Sequence, residues 1–301
     1  MTISNQSKDR PVRGIVLMMV SALFISGQEA IAKHLIGDGL PLSQVIWARY
    51  ASHLALMLGF MLIFVLPRDG GSAFRSARPL AQVGRSMLLL IDTVLYFSAL
   101  TFLSLVEVTA IMFIAPILVV LLARPLLGES LTARRLIAVA VGFSGVLIIV
   151  RPGFDGVSWP ALLVIGAAVC VALFNLATRH MRSVDPSRVT MLYTALVGTV
   201  AASIWVPLEW VPPSLDQWGL MIAIGLLGGT AHGLLIVAHQ DAPASTVAPF
   251  MYIQILWALG LGWMVFGDWP DIATAIGAAV IIAGGLIVLI GEARRNNRRS
   301  K

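Results

Sequence analysis

Glu29, Lys33, Arg49, His53, Asp92 and His232 stand inside stretches that are otherwise apolar, with Tyr96, Asn175, Thr178, Tyr252 and Gln254 as uncharged companions. An ionisable group near the centre of a bilayer costs roughly 2.5 to 3.5 kcal/mol on insertion scales, so such residues must face a protein interior or a cavity. Their types suit two kinds of chemistry, recognition of a charged or zwitterionic small molecule and the carriage of protons. Covalent catalysis fits them less well. The chain has no HExxH, GxGD or GxSxG and no cluster of His with acids at ligand spacing. Asp92 and His232 form the one pair available for acid-base work. Neither a cofactor nor a metal site is expected.

The elements that must position these residues follow from composition. With 58% hydrophobic and 12% charged residues, 301 residues have too little polar surface for a water-soluble domain. The mean hydropathy of +0.89 makes lipid the solvent. Apolar runs at 14–36, 42–66, 86–101, 107–127, 136–150, 159–178, 189–208, 218–238, 247–266 and 272–290 predict ten transmembrane helices. A cleaved signal sequence competes for the first run, since Lys8, Arg10 and Arg13 precede it and Ala30-Ile31-Ala32 imitates a cleavage site. Cys170 is the only cysteine, which excludes an intrachain disulfide. The net charge of +6 does not indicate nucleic acid, because the basic residues sit in short clusters between apolar runs. Of 21 Lys and Arg, all but Lys33, Arg49 and Arg151 fall in the N-tail, in segments 67–85, 124–135 and 179–188, and in the C-tail. That asymmetry predicts cytoplasmic termini in an inner membrane.

The chain repeats itself. Gly128-Glu129 recurs as Gly267-Asp268 and Gly145 as Gly284, at an offset of 139 residues. Two copies of a five-helix unit are expected. An odd number of spans forces the second copy upside down, and the charges follow. Lys33-His34 at the outer end of span one is echoed by Arg179-His180 at the inner end of span six, while inner Arg134-Arg135 becomes outer Ala273-Thr274. The predicted fold is therefore an all-α integral membrane protein of ten helices in two inverted repeats. The divisions are a cytoplasmic N-tail 1–13, a first repeat 14–151, a second repeat 159–290 and a basic cytoplasmic C-tail 291–301.

Two phrases, IMFIAPILVVLLARPLLGESLTARRLIAVAVGFSGVLIIVRPG and APASTVAPFMYIQILWALGLGWMVFGDWP, resemble the EamA family of the drug/metabolite transporter superfamily, and the likeness spans residues 14–290. The resemblance implies a ten-helix inner-membrane carrier of small organic metabolites that works by alternating access. Cargoes it suggests include amino acids, S-adenosylmethionine and riboflavin-like compounds. Asp268 stands where Glu is commoner, and Gln254 lies near the position equivalent to Pro116. A membrane enzyme or a non-transporting subunit or sensor is the alternative. The expected partners are a small-molecule substrate, the lipid bilayer and protons as a candidate coupling ion, with no nucleic acid, and the chain is expected as a monomer or homodimer.

Within this frame Glu29 and Arg49 fall at one depth on neighbouring helices, and an intramembrane ion pair is one reading. The other pairs Glu29 with Lys33 one turn away. Asp92, about 9 Å from the inner surface, joins His232 and Tyr252 in an inner polar cluster with Tyr96 one turn beyond. Asn175 takes the repeat position equivalent to Glu29. Tyr96 and Tyr252 are candidates to stack on a planar cargo. Pro116 and Pro249 predict local breaks within their spans. Trp159, Trp210, Trp218 and Trp269 read as interfacial aromatics.

Overall fold

The computed structural model describes residues 10–103, 105–128, 132–150 and 159–266, and then 272, 275–277, 279–284 and 286. Its elements are α1 (Pro11–Gly37), α2 (Leu42–Phe60), a π-helical turn (Met61–Val65), α3 (Leu66–Asp69), α4 (Pro79–Leu100), α5 (Leu105–Met112) and α6 (Ile114–Leu127). They continue as α7 (Ala133–Val150), α8 (Trp159–Met181), α9 (Ser187–Trp205), α10 (Leu215–Asp241), α11 (Ala244–Val247) and α12 (Ile253–Phe266). No strand occurs among the described residues. Hydrocarbon offers the backbone no hydrogen bonds, and a helix satisfies them within one segment. Seven helices are long and apolar enough to cross a membrane: Pro11–Gly37, Leu42–Arg68, Pro79–Leu100, Trp159–Met181, Ser187–Leu208, Leu215–Asp241 and Ala244–Leu261. α6 and the Leu136–Gly145 part of α7 are shorter apolar helices.

The contacts sort the helix ends onto two faces. On one, the Arg10 N–H donates to the Asp241 carbonyl at 2.6 Å, Arg13 pairs with Asp241 at 3.4 Å, and Ser76 bonds Asp185. On the other, Ser43 donates to Glu209 at 2.9 Å, Gln44 to the Val211 carbonyl at 2.9 Å, and Phe102 packs on Trp159 at 4.6 Å. The first face carries Arg68, Arg75, Arg78, Arg182 and Arg188. The second carries Trp47, Trp210 and Trp218, with Trp47 edge-on to Trp210 at 5.8 Å and Trp210 tilted against Trp218 at 6.2 Å. Trp269 lies outside the described residues.

α1 and α10 run antiparallel and close together. A Cβ on Gly14 would sit 2.7 Å from that of Ala242, and Ser21 bonds the Ala231 carbonyl at 2.7 Å. α2 runs parallel to α10, with Gly225 against the backbone of Arg49 and Gly229 against His53. α4 lies on α8 and α9, held through Arg85 to Thr178 and Gln82 to Thr190. Small residues permit this spacing, which lipid alone would not drive.

Several expected boundaries move. Span three begins at Pro79 rather than residue 86, because Pro at the first helical position starts the helix and buried partners receive Gln82 and Arg85. Span four is two helices meeting at Phe113, since Pro116 has no N–H to continue the ladder. Span nine breaks likewise into α11, a 3-10 turn over Ala248–Tyr252 containing Pro249, and α12. α10 starts at Leu215 on a full capping box between Ser214 and Gln217. Gly128 closes α6 at φ +65, a left-handed conformation that glycine adopts without strain. Its neighbour Glu129 and the second knuckle, Gly267-Asp268, lie outside the described residues, as do the tails 1–9 and 287–301.

Candidate functional site

Arg49 centres a buried polar layer between α1, α2, α4 and α10. One guanidinium nitrogen donates to the Thr93 hydroxyl and another approaches His232 Nε2 at 2.7 Å. A guanidinium only donates, so Nε2 accepts and the ring proton sits on Nδ1. Tyr50 and Phe97 present ring faces to the same cation at 5.2 and 5.6 Å. Space for these side chains comes from α10. A side chain at Gly228 would collide with Gln28, and a Cβ at Gly229 would lie 2.6 Å from the His53 ring.

Glu29 faces this layer from α1 and is 6% exposed. Both its oxygens accept from Gln254 Nε2 at 3.0 Å, and the Tyr96 hydroxyl approaches the same carboxyl. Neither expected ion pair of Glu29 forms. Among the described residues the ion pairs within 4.0 Å are Arg13–Asp241 and His34–Asp38, while Lys33 reaches the Leu103 carbonyl at 3.5 Å. The neutral amide is the nearer partner because α12 enters beside α1 at its break, a juxtaposition with no signature in sequence spacing.

Asp92 is 7% exposed and its Oδ1 has no hydrogen-bond partner. It stands thirteen residues beyond the start of α4, about 20 Å along the helix, which lifts it from the expected inner cluster to the level of Arg49. His232 joins it there. Tyr252 does not: its hydroxyl donates to the Phe113 carbonyl at 3.3 Å, its ring packs on Phe113 at 5.3 Å, and Gly142 seats its other side. It fills the break of span four and is unavailable for stacking. Tyr96 bonds Thr109 at 3.4 Å and keeps its place at the edge of the layer. Asn175 donates to Met251 Sδ at 3.9 Å, apart from Arg49, with Oδ1 unpartnered. Among the described residues, four buried atoms of the central layer lack partners: Gln28 Oε1, His53 Nε2, Asp92 Oδ1 and His232 Nδ1. Buried polar atoms in folded proteins are nearly always paired, so these four are candidates for contact with water or a bound molecule.

A second polar cluster was hidden in the sequence. Arg85, counted there as a loop charge, is 2% exposed and bonds Gln82 Oε1 at 3.1 Å, Thr178 at 3.2 Å and the Thr190 carbonyl at 2.7 Å, under the Phe174 ring at 4.8 Å. Gln82 in turn donates to Asp185 at 2.8 Å, which also receives Ser76 and the Ala77 N–H at 2.9 Å. Burial pushes the Asp185 carboxyl up, but the bonds from Ser76, Gln82 and Ala77 outweigh it and hold the group below its ordinary value. The cluster ties the basic ends of α4, α8 and α9. Its signal was the Gln82–Arg85 and Thr190–Thr194 helical spacing after Pro79.

Comparison with known proteins bears on this architecture. The S-adenosylmethionine uptake transporter of Rickettsia prowazekii (strain Madrid E) is 24% identical over 282 residues, covering 93% of this chain and 94% of that protein. The riboflavin transporter of Rhizobium johnstonii is 28% identical over 244 residues, covering 80% and 81%. The pseudopaline exporter CntI of Pseudomonas aeruginosa (strain UCBPP-PA14) is 28% identical over 284 residues, covering 92% and 93%. A solved crystal structure has the same fold, with a TM-score of 0.77 at 20% identity over 92% of this chain and 97% of that one. The profile of the EamA-like transporter family matches residues 12–151 and again 158–290. With those two matches taking in nearly the whole chain, the protein belongs to the EamA-like transporter family.

Proposed function

We propose that this transporter moves a small zwitterionic or amphipathic metabolite across the inner membrane by alternating access, with the Arg49 layer as its binding site. The observation that carries this reading is one guanidinium and two carboxyls buried at one level beside four unpartnered polar atoms. A zwitterion supplies what they lack. Its carboxylate meets Arg49 and His232 Nδ1–H, its ammonium meets Asp92 and Gln28 Oε1, and its apolar part lies on Tyr96 and Phe97. An amino acid is the simplest such cargo, and S-adenosylmethionine carries the same head group. One cation among two carboxyls also leaves a proton to be held by Glu29 or Asp92, which supports protons as the coupling ion.

The same reading takes the chain as ten spans in two inverted units, 14–151 and 159–290, with cytoplasmic tails 1–13 and 291–301. Supporting it, Phe113 and Tyr252, separated by the repeat offset of 139, touch each other. Gly145 of α7 likewise lies against Gly277 and Ile281, and Gly284 against Ala138 and Gly142. Repeat-related elements that meet in this way suit a pseudo-two-fold axis. The basic face supports cytoplasmic termini.

The test is a thermal-shift screen of purified protein against amino acids, S-adenosylmethionine, riboflavin and nucleosides, repeated on Arg49→Gln and Asp92→Asn. Cargo at 100 times its dissociation constant adds about 2.7 kcal/mol of apparent stability. A zwitterion that stabilises the wild type and neither variant is the expected result. A ligand that stabilises all three equally would remove the layer from recognition.

A further inference from the structure

A groove of about 640 Å³ opens sideways at the basic end of α2, walled by Phe60, Phe64, Val65 and Arg68 on one side and by Pro186, Ser187 and Arg188 on the other. Its walls come from two unusual stretches. Phe60 and Phe64, one turn apart where α2 passes into the π-helical turn Met61–Val65, lie side by side at 5.6 Å, and Arg68 follows from α3. Such π turns recur at functional sites, since a single extra residue per turn is otherwise an unrewarded cost. Opposite, the chain enters α9 through Pro186.

The chemistry of the groove is divided by depth. Phe60 and Phe64 are 47% and 55% exposed, and Leu62 and Ile63 continue an apolar surface beside them. Arg68 and Arg188 close the end toward the basic face. The described lining residues include no acid. Asp185, which precedes Pro186 in the chain, spends its oxygens on Ser76, Ala77 and Gln82. An apolar lining that ends in two guanidiniums on the basic face matches a molecule with an acyl chain and an anionic phosphate.

We propose that this groove binds an anionic phospholipid of the cytoplasmic leaflet, its phosphate held by Arg68 and Arg188 and one acyl chain lying over Phe60 and Phe64. Guanidiniums recognise phosphate oxygens in pairs, and each basic residue near an anionic surface adds about fivefold to affinity. The proposal uses the transporter reading only to place this face in the cytoplasmic leaflet, and it is independent of the Arg49 layer. A bound lipid there would brace α2, which carries Arg49, against the start of α9.

The experiment is a titration of full-length protein in detergent with phosphatidylglycerol, with phosphatidylcholine of the same acyl chains, and with glycerol 3-phosphate, read by native mass spectrometry. Phosphatidylglycerol is expected to fill one site that the other two do not. Arg68→Gln should weaken it about fivefold, the double variant with Arg188→Gln roughly 25-fold, and Arg68→Lys should retain most of the affinity. A melting curve for each variant separates lost binding from lost folding, and the exposed Arg68 carries the result if Arg188→Gln fails to fold. Equal binding of phosphatidylcholine, or phosphatidylglycerol binding unchanged in Arg68→Gln, would overturn the proposal. Binding of glycerol 3-phosphate as tight as that of the lipid would overturn it in favour of a soluble-anion site. None of these outcomes bears on cargo binding in the thermal-shift screen.

Discussion

Arg49 reaches across to two other helices, yet Glu29 and Asp92 stay outside ion-pair distance of it, and that arrangement sets what the proposed site can accept. A closed Glu29–Arg49 pair would leave nothing for cargo. Glu29 held by the amide of Gln254, and Asp92 with a free oxygen, keep two acidic groups and one basic group available. Asp185 shows the opposite case, a carboxyl satisfied three times over. Because its folded value is depressed, its stabilising effect is present above the ordinary carboxylate value and is lost as pH falls through the folded one. Asp185→Asn should therefore melt lower than wild type at pH 7 by about 1 to 3 kcal/mol, and the gap should close below about pH 4. Melting points in detergent across that range check it, and a gap independent of pH would contradict the hydrogen-bond account. The residue types of the site were legible in the sequence, since charge inside an apolar run announces itself. Their partners were not. α4 begins at Pro79, ahead of the apolar run that starts at residue 86, so neither the depth of Asp92 nor the helical place of Arg85 is written in hydropathy.

At the scale of elements, α10 is the helix against which the site is built, and its glycines are the reason. Gly225 lies on the α2 backbone, where an added Cβ would meet Ser52 and come 3.0 Å from the Arg49 carbonyl. Backbone cannot yield as a flexible side chain does. Gly225→Val should cost about 1 to 3 kcal/mol and displace Arg49 from His232. A melting point and cargo affinity measured on the same sample test this. Lowered stability with unchanged affinity would detach the helix contact from the site. Small-residue spacing along this run was visible in the sequence as packing grammar, but which helix it receives is a tertiary fact. The breaks were more legible. Pro116 and Pro249 each interrupt a span as their missing N–H requires, and at the first break the Phe113 carbonyl accepts from Tyr252.

For the whole molecule, the 58% hydrophobic composition foretold the solvent, and apolar runs near the length a helix needs to span a bilayer foretold the helical class. The gathering of loop arginines on one face and of Trp47, Trp210 and Trp218 on the other follows from the charge bias of membrane loops and the interfacial preference of tryptophan. In the proposed reading, the contact of Phe113 with Tyr252 gives the two halves a shared centre, about which rocking would expose the Arg49 layer to each side in turn. The most direct measurement of that account is counterflow in proteoliposomes. Vesicles are loaded with an unlabelled zwitterion identified by stabilisation, and labelled cargo is supplied outside. The wild type should accumulate label transiently, and Arg49→Gln and Asp92→Asn, inserted equally well, should be slower by about tenfold or more. No transient in the wild type, or variants that match it, would contradict carriage through this site.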